Sequence, residues 1–242
     1  YSYTANPNTQ GTDSFTFTIT DADGDSQSQS IDVTVTPAQG PTITDGISVN
    51  EKGLDDASDD SETDVWTAPE GYTVIGIVAQ GSLGTATVTD DGKLEYTLND
   101  AIKHEGTGTD TKTGADTVKV TVQDADGNTF EVDVKVDVVD DVPTLNVTDG
   151  IDTVVSGATS DTVEGQIKFD FGADDGDGKT FTITAANGES KSYPLTGESV
   201  TVAGQYGTLT VNADGSYSYK ANPDTQGTDS FTFTITDADG DS

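Results

Sequence analysis

Apolar and polar residues alternate along much of the chain. Between Ser14 and Thr20, Phe15, Phe17 and Ile19 fall on one side and Thr16, Thr18 and Thr20 on the other. Val118, Val120 and Val122 repeat the pattern, and Leu209 and Val211 oppose Thr208, Thr210 and Asn212. From Phe130 to Val138, Val132, Val134, Val136 and Val138 oppose Asp133, Lys135 and Asp137. A period of two, carried by β-branched and aromatic residues, predicts strands with one buried face. Asp91-Gly92, Asp126-Gly127, Asn187-Gly188 and Asp214-Gly215 punctuate these runs as hairpin turns. No stretch keeps a helical period beyond a short turn around Ala101 to His104.

The pattern recurs at long range. Residues 1–26 (YSYTANPNTQGTDSFTFTITDADGDS) return as residues 217–242, changed only where Thr4 becomes Lys220 and Asn8 becomes Asp224. A weaker repeat lies inside this period: Gly114–Thr129 (GADTVKVTVQDADGNT) matches Gly11–Ser26, and Gly84–Tyr96 matches Gly207–Tyr219. Such self-similarity predicts one long repeat unit holding two related domains, followed by the start of the next unit. About seven short strands per about 100 residues predict an all-β chain of tandem immunoglobulin-like β-sandwich domains. The expected domains are 41–142 and 143–242, with residues 1–37 as the C-terminal strands of a preceding copy. The segment Gln29 to Thr36 follows the first DADGDS and has no counterpart after the second. Domain 143–242 is therefore expected to lack its last strand and to expose an unpaired sheet edge. Neighbouring repeats are the natural partners. Head-to-tail self-association, with the Gln29–Thr36 strand of another copy filling the edge, is the further expectation. Residues 101–113 read as an extra loop carrying the only histidine.

Charge adds a constraint. With 44 acidic residues against 10 basic ones, the formal charge is −34. Such a chain repels nucleic acid and anionic lipid, and it repels itself. Low hydrophobicity with high charge also fits disorder, but the strand alternation argues for folding, with bound cations neutralising much of the charge. No segment approaches the roughly 18 apolar residues of a membrane span. There is no cysteine and no methionine, so the chain resists oxidation. It opens in mid-strand without a signal peptide, which reads as an excised piece.

The acidic loops are the candidate chemistry. Asp21, Asp23 and Asp25 recur as Asp237, Asp239 and Asp241, and as Asp124, Asp126 and Asn128. Alternating carboxylates around a turn-forming glycine converge on one hard cation, and calcium takes six to eight such oxygens. The same residues also make plain acidic hairpin turns, so both readings stand. In an immunoglobulin-like sandwich, three acidic segments meet at one end: the loop Asp237–Asp241, the loop with Asp174, Asp175 and Asp177, and the linker residues Asp140 and Asp141. Calcium there would tie one domain to the next. For the loop of Asp124, Asp126 and Asn128, Glu51 and the acidic run 55–60 are candidate partners, the run reading equally well as a solvated loop.

Catalytic chemistry is poorly supplied. His104 stands alone in the extra loop and reads as a surface histidine, and one histidine without cysteine disfavours zinc. No phosphate-binding or dinucleotide motif is present. Carboxylate pairs sit in repeated loops, which suits structure better than a single active site. Trp66 belongs in a core or on a loop.

Residues 207–219 (GTLTVNADGSYSY) followed by 227–241 (GTDSFTFTITDADGD) resemble the VCBS and cadherin-like repeats of giant RTX adhesins. Phe171–Asp174 and Val139–Pro143 are similar to repeats of the same type I secreted proteins. Val49-Asn50-Glu51 resembles the opening of cadherin-like modules, whose glutamate helps bind calcium. The resemblance implies a calcium-stiffened extender on a bacterial surface, serving attachment or biofilm cohesion. The glycine-rich calcium nonapeptides of RTX C-termini are absent, which points to the repetitive middle of such a protein. A matrix filament built by strand exchange and a glycan-binding module are the alternatives.

Overall fold

The computed structural model describes all residues except 56–57, 106–107, 149–153, 156–161, 174–177, 194–196 and 239. The described residues are all-β apart from one short helix. The chain opens with strands β1 (Gly11–Thr20) and β2 (Ser26–Val35), then β3 (Ile47–Asn50), helix α1 (Lys52–Asp55) and β4 (Thr63–Trp66). Next come β5 (Tyr72–Ala79), β6 (Gly84–Val88), β7 (Leu94–Leu98), β8 (Thr111–Asp124) and β9 (Thr129–Val139). The remainder holds β10 (Thr144–Thr148), β11 (Val163–Asp170), β12 (Thr180–Ala185) and β13 (Ser190–Tyr193). It ends with β14 (Val200–Ala203), β15 (Gly207–Val211), β16 (Ser216–Ala221) and β17 (Phe231–Thr236). No helical period marks 52–55. There the Asn50 side chain accepts the Lys52 amide at 2.9 Å and so starts the turn.

The strands form sheets in the orders β1-β2, β3-β9-β8-β5, β4-β7-β6, β10-β11-β16-β15-β14 and β13-β12-β17. Neighbouring strands are antiparallel wherever their register is defined. The turn glycines behave as their dipeptides predict: Gly92, Gly127, Gly188 and Gly215 all have positive φ, between 76° and 90°, a conformation glycine reaches without steric cost.

Two compact units divide the chain. One comprises residues 1–47, 64–96 and 116–136, the other residues 48–63, 97–115 and 137–242. In the first, Trp66, Leu94, Tyr96, Val118, Val120, Val122, Val134 and Val136 are buried, so the predicted valine faces point inward. In the second, Ile167, Phe181, Ile183, Val200, Val202, Leu209, Val211 and Ile235 form the core, with Phe169, Phe231 and Phe233 packed against it. Phe181 stacks between Phe169 and Phe233, with ring centroids 5.9 and 6.0 Å away.

The two copies of FTFTIT have different surroundings. On β17, Ile235 is 3 % exposed, whereas on β1 its counterpart Ile19 is 75 % exposed. β1 pairs with β2 along its whole length, and three hydroxyl pairs run across that hairpin: Thr16–Ser30, Thr18–Ser28 and Thr20–Ser26. β17 pairs with β12 and lies at the end of its sheet order.

Candidate metal centre

The acidic hairpin loops share one local design. In each, the first aspartate's backbone amide donates to the carbonyl four residues on: Asp21 to Asp25, Asp124 to Asn128, Asp237 to Asp241. That aspartate's carboxylate in turn accepts the amide of the same residue, at 2.9, 2.8 and 2.7 Å. The leading aspartate thus makes the turn itself. For Asp124, the Asn128 side chain and the loop amides hold the carboxyl below its ordinary pKa against the opposing effect of burial.

Surroundings separate the three loops. Asp21, Asp23 and Asp25 are exposed, yet each has a carboxylate oxygen within 4.8 Å of the others. In the second loop, Asn128 accepts the Asn8 amide at 2.9 Å and donates to Asp124 at 2.8 Å. Asp237 and Asp241 are buried, each 2 % exposed. Asp241 Oδ1 accepts the Gly108 amide at 2.9 Å, and its Oδ2 is buried without a hydrogen-bond partner. Asp141 accepts the Ala173 amide at 3.1 Å and the Val142 amide at 2.9 Å, bringing the linker to the loop after β11. Gly178, at that loop's far end, lies against the backbone of Ala238. The linker, the β11–β12 loop, the extra loop and the loop after β17 are thereby held together inside one compact unit. Asp174, Asp175, Asp177 and Asp239 lie outside the described residues.

A second buried cluster gathers Glu51, Asp140 and His104, with ligand atoms within 4.8 Å of one another. Glu51 is 0 % and Asp140 1 % exposed. Contrary to its expected surface position, His104 is buried at 2 % exposure. Its Nδ1 lies 2.5 Å from Asp110 Oδ1 and its Nε2 lies 3.4 Å from Glu51 Oε1. The polar make-up of the extra loop conceals this, because burial here follows from carboxylate partners and not from an apolar face. Burial works against the imidazolium, but the Asp110 bond and the charges of Glu51 and Asp140 outweigh it, and the His104 pKa is raised. In the acidic run, Asp59 pairs with Lys52 at 3.1 Å and accepts the Ser61 amide.

The sequence matches the bacterial Ig domain over residues 1–34 and 140–242, more than half of the chain. The chain belongs to the bacterial Ig domain family. No curated protein matches it. Bacterial Ig domains are typical of surface and adhesion proteins and are typically non-catalytic structural modules. No helix among the described residues is long and apolar enough to cross a membrane.

A tyrosine–aspartate anchor recurs along the chain, buried at Tyr96, half-buried at Tyr219 and exposed at Tyr3. Asp116 accepts the amides of Ser82, Leu83 and Thr117 at 2.9, 2.9 and 2.8 Å, and the Tyr96 hydroxyl at 2.8 Å. Asp229 accepts the amides of Gln205 and Tyr206 at 2.7 and 3.0 Å, and the Tyr219 hydroxyl at 2.7 Å. Tyr3 donates to Asp13 in the first copy. The signal was present in the repeats: Asp13, Asp116 and Asp229 each stand two residues before the first apolar residue of an alternating run, and Tyr96 and Tyr219 each follow an Asp-Gly turn by four residues.

Proposed function

We propose that this chain is a calcium-rigidified spacer of an extracellular bacterial surface protein, serving attachment or biofilm cohesion. One observation carries the reading: Asp237 and Asp241 are buried in a chain of net charge −34. Burying ionised carboxylates is costly unless a cation or several donors compensate. Oxygen donors alone suit calcium, and Asp241 Oδ2, buried and without a hydrogen-bond partner, fits such an ion. Asp21, Asp23 and Asp25 are a further, exposed candidate, and Asp124, Asp126 and Asn128 the weakest. Calcium at these loops would fix the angle between successive repeats. It would also couple folding to the calcium-rich exterior, leaving the chain loose for type I export as part of an RTX-type adhesin.

Thermal unfolding in millimolar calcium, in a chelator and in magnesium tests this. One ion at a hundred times its dissociation constant stabilises by about 2.7 kcal/mol, on the order of 10–20 °C for a domain of about 100 residues. Equal melting temperatures in calcium and chelator would return these loops to ordinary turns.

A second reading, a filament joined head to tail by strand complementation, is favoured by β17 at the end of its sheet and by the exposed apolar face of β1. Strand β2 of another copy would add to β17. Particle size measured against concentration separates the two readings, since a spacer stays monomeric.

A further inference from the structure

We propose that Glu51, His104 and Asp140 form a binding site for a first-row divalent transition metal of the zinc class, distinct from the calcium loops. The three side chains are buried, and each offers a ligand atom within 4.8 Å of the others. Their segments are tied by backbone hydrogen bonds that need no metal. The Glu51 amide donates to Val139 O at 3.0 Å, the Asp140 amide donates to Asp110 O at 3.0 Å, and the Ile102 amide donates to Glu51 Oε1 at 2.7 Å. The cluster is thus built in advance by the turn before α1, the extra loop and the residue after β9.

His104 decides the class of ion. Its Nδ1 faces Asp110 at 2.5 Å. In the neutral imidazole this places the proton on Nδ1 and the lone pair on Nε2, the arrangement by which a carboxylate orients a metal-binding histidine. Nε2 points at Glu51 across 3.4 Å, makes no hydrogen bond and belongs to a side chain with no exposed surface. Calcium and magnesium select oxygen donors. The lone histidine disfavours zinc by composition, but the fold adds Glu51 and Asp140 to it, and an imidazole nitrogen with two carboxylates suits zinc, cobalt and their neighbours. The ion would take the place of a proton at Nε2, so binding releases that proton to solvent when the imidazole starts charged. Asp110 is a positioning residue, acting through His104.

The test is cobalt(II) titration of the full chain, stripped with chelator and held in millimolar calcium, read by visible absorption and by proton NMR. The expected result is one equivalent of cobalt with a visible band that zinc bleaches, and a paramagnetically shifted imidazole N–H. The chain has a single histidine, so that signal is assigned without any variant. His104→Gln should abolish the band, and Asp110→Asn should weaken cobalt about 10- to 100-fold. Both should leave the calcium-dependent melting shift in place, so the outcome stands apart from that of the calcium reading. If His104→Gln fails to fold, the wild-type NMR signal and Asp110→Asn still decide. A band independent of His104, displacement of cobalt by millimolar calcium, or a histidine that keeps protons on both nitrogens in excess zinc would each overturn the proposal.

Discussion

Replacing Asp116 with alanine removes the acceptor for three backbone amides and the Tyr96 hydroxyl. Ser82 is exposed, so its amide regains water. Tyr96 is 0 % exposed, and Leu83 is half-buried, so their donors lose most. A hydrogen bond to a charged partner contributes about 1.5–3 kcal/mol, and a buried donor left without one costs a similar amount. Two such groups put Asp116→Ala at about 3–6 kcal/mol. Tyr96→Phe should cost about 1.5–3 kcal/mol, and the two changes should be less than additive, because they delete a shared bond. Urea unfolding followed by fluorescence reads this directly, since Trp66 is the only tryptophan, is 2 % exposed and lies in the same compact unit. The midpoint should fall by more than about 1 M at an m-value of about 1–3 kcal/mol/M.

The cost should also depend on pH. Burial works to raise the Asp116 pKa, but the amides of Leu83 and Ser82, the Tyr96 hydroxyl and the Thr117 amide outweigh it, and the pKa is lowered. A depressed carboxyl contributes stability above its unfolded pKa of about 3.9 and loses it as pH falls below. Burial and Asp116 raise the Tyr96 pKa; that contribution is complete below about pH 10 and fades as pH rises beyond. The Asp116→Ala penalty should therefore be flat between about pH 4 and pH 10 and shrink on either side. A penalty under about 1 kcal/mol at pH 7 would refute the reasoning.

Phe181→Ala should cost about 3–5 kcal/mol in the second unit, because the ring is 1 % exposed between two other phenylalanines; far-UV circular dichroism against urea checks it. Gly172→Ala should reduce the calcium-dependent melting shift: φ there is +72°, and the new Cβ would sit 2.7 Å from Asp141 Oδ2. Ile19→Lys should leave the melting temperature within about 1 °C, since that side chain is 75 % exposed and such surface changes are nearly neutral. The same variant should suppress any association seen by light scattering at high concentration.

The strands and hairpins were legible because their signals are local. Val118, Val120 and Val122 alternate with polar residues and are all fully buried, and Gly92, Gly127, Gly188 and Gly215 supply the positive φ their turns need. The acidic loops were legible as turns and as clusters, but the sequence could not separate exposed Asp21 from buried Asp237. The two stand in identical local sequence, and only distant contacts such as Gly108 to Asp241 distinguish them. His104 was misread for the same reason. Nothing near it is apolar in a periodic way, and its partners Glu51, Asp110 and Asp140 come from three segments. Asp116 and Asp229 do not stand out among the 44 acidic residues, although each sits two residues before the first apolar residue of an alternating run and accepts a tyrosine hydroxyl there.

The identity of β1 and β17 also has a kinetic consequence. Two strands with the same FTFTIT sequence compete for the same partner strand, such as β2, during folding, and no local preference tells the right neighbour from the wrong one. An array of such repeats refolded all at once would trap a share of its chains in swapped pairings, a known failure of tandem proteins with similar sequences. Under the export route proposed above, emergence one repeat at a time would remove that competition, because each strand would meet its own sheet before its duplicate arrived. The order in which the chain leaves the cell would then act as its proofreading step.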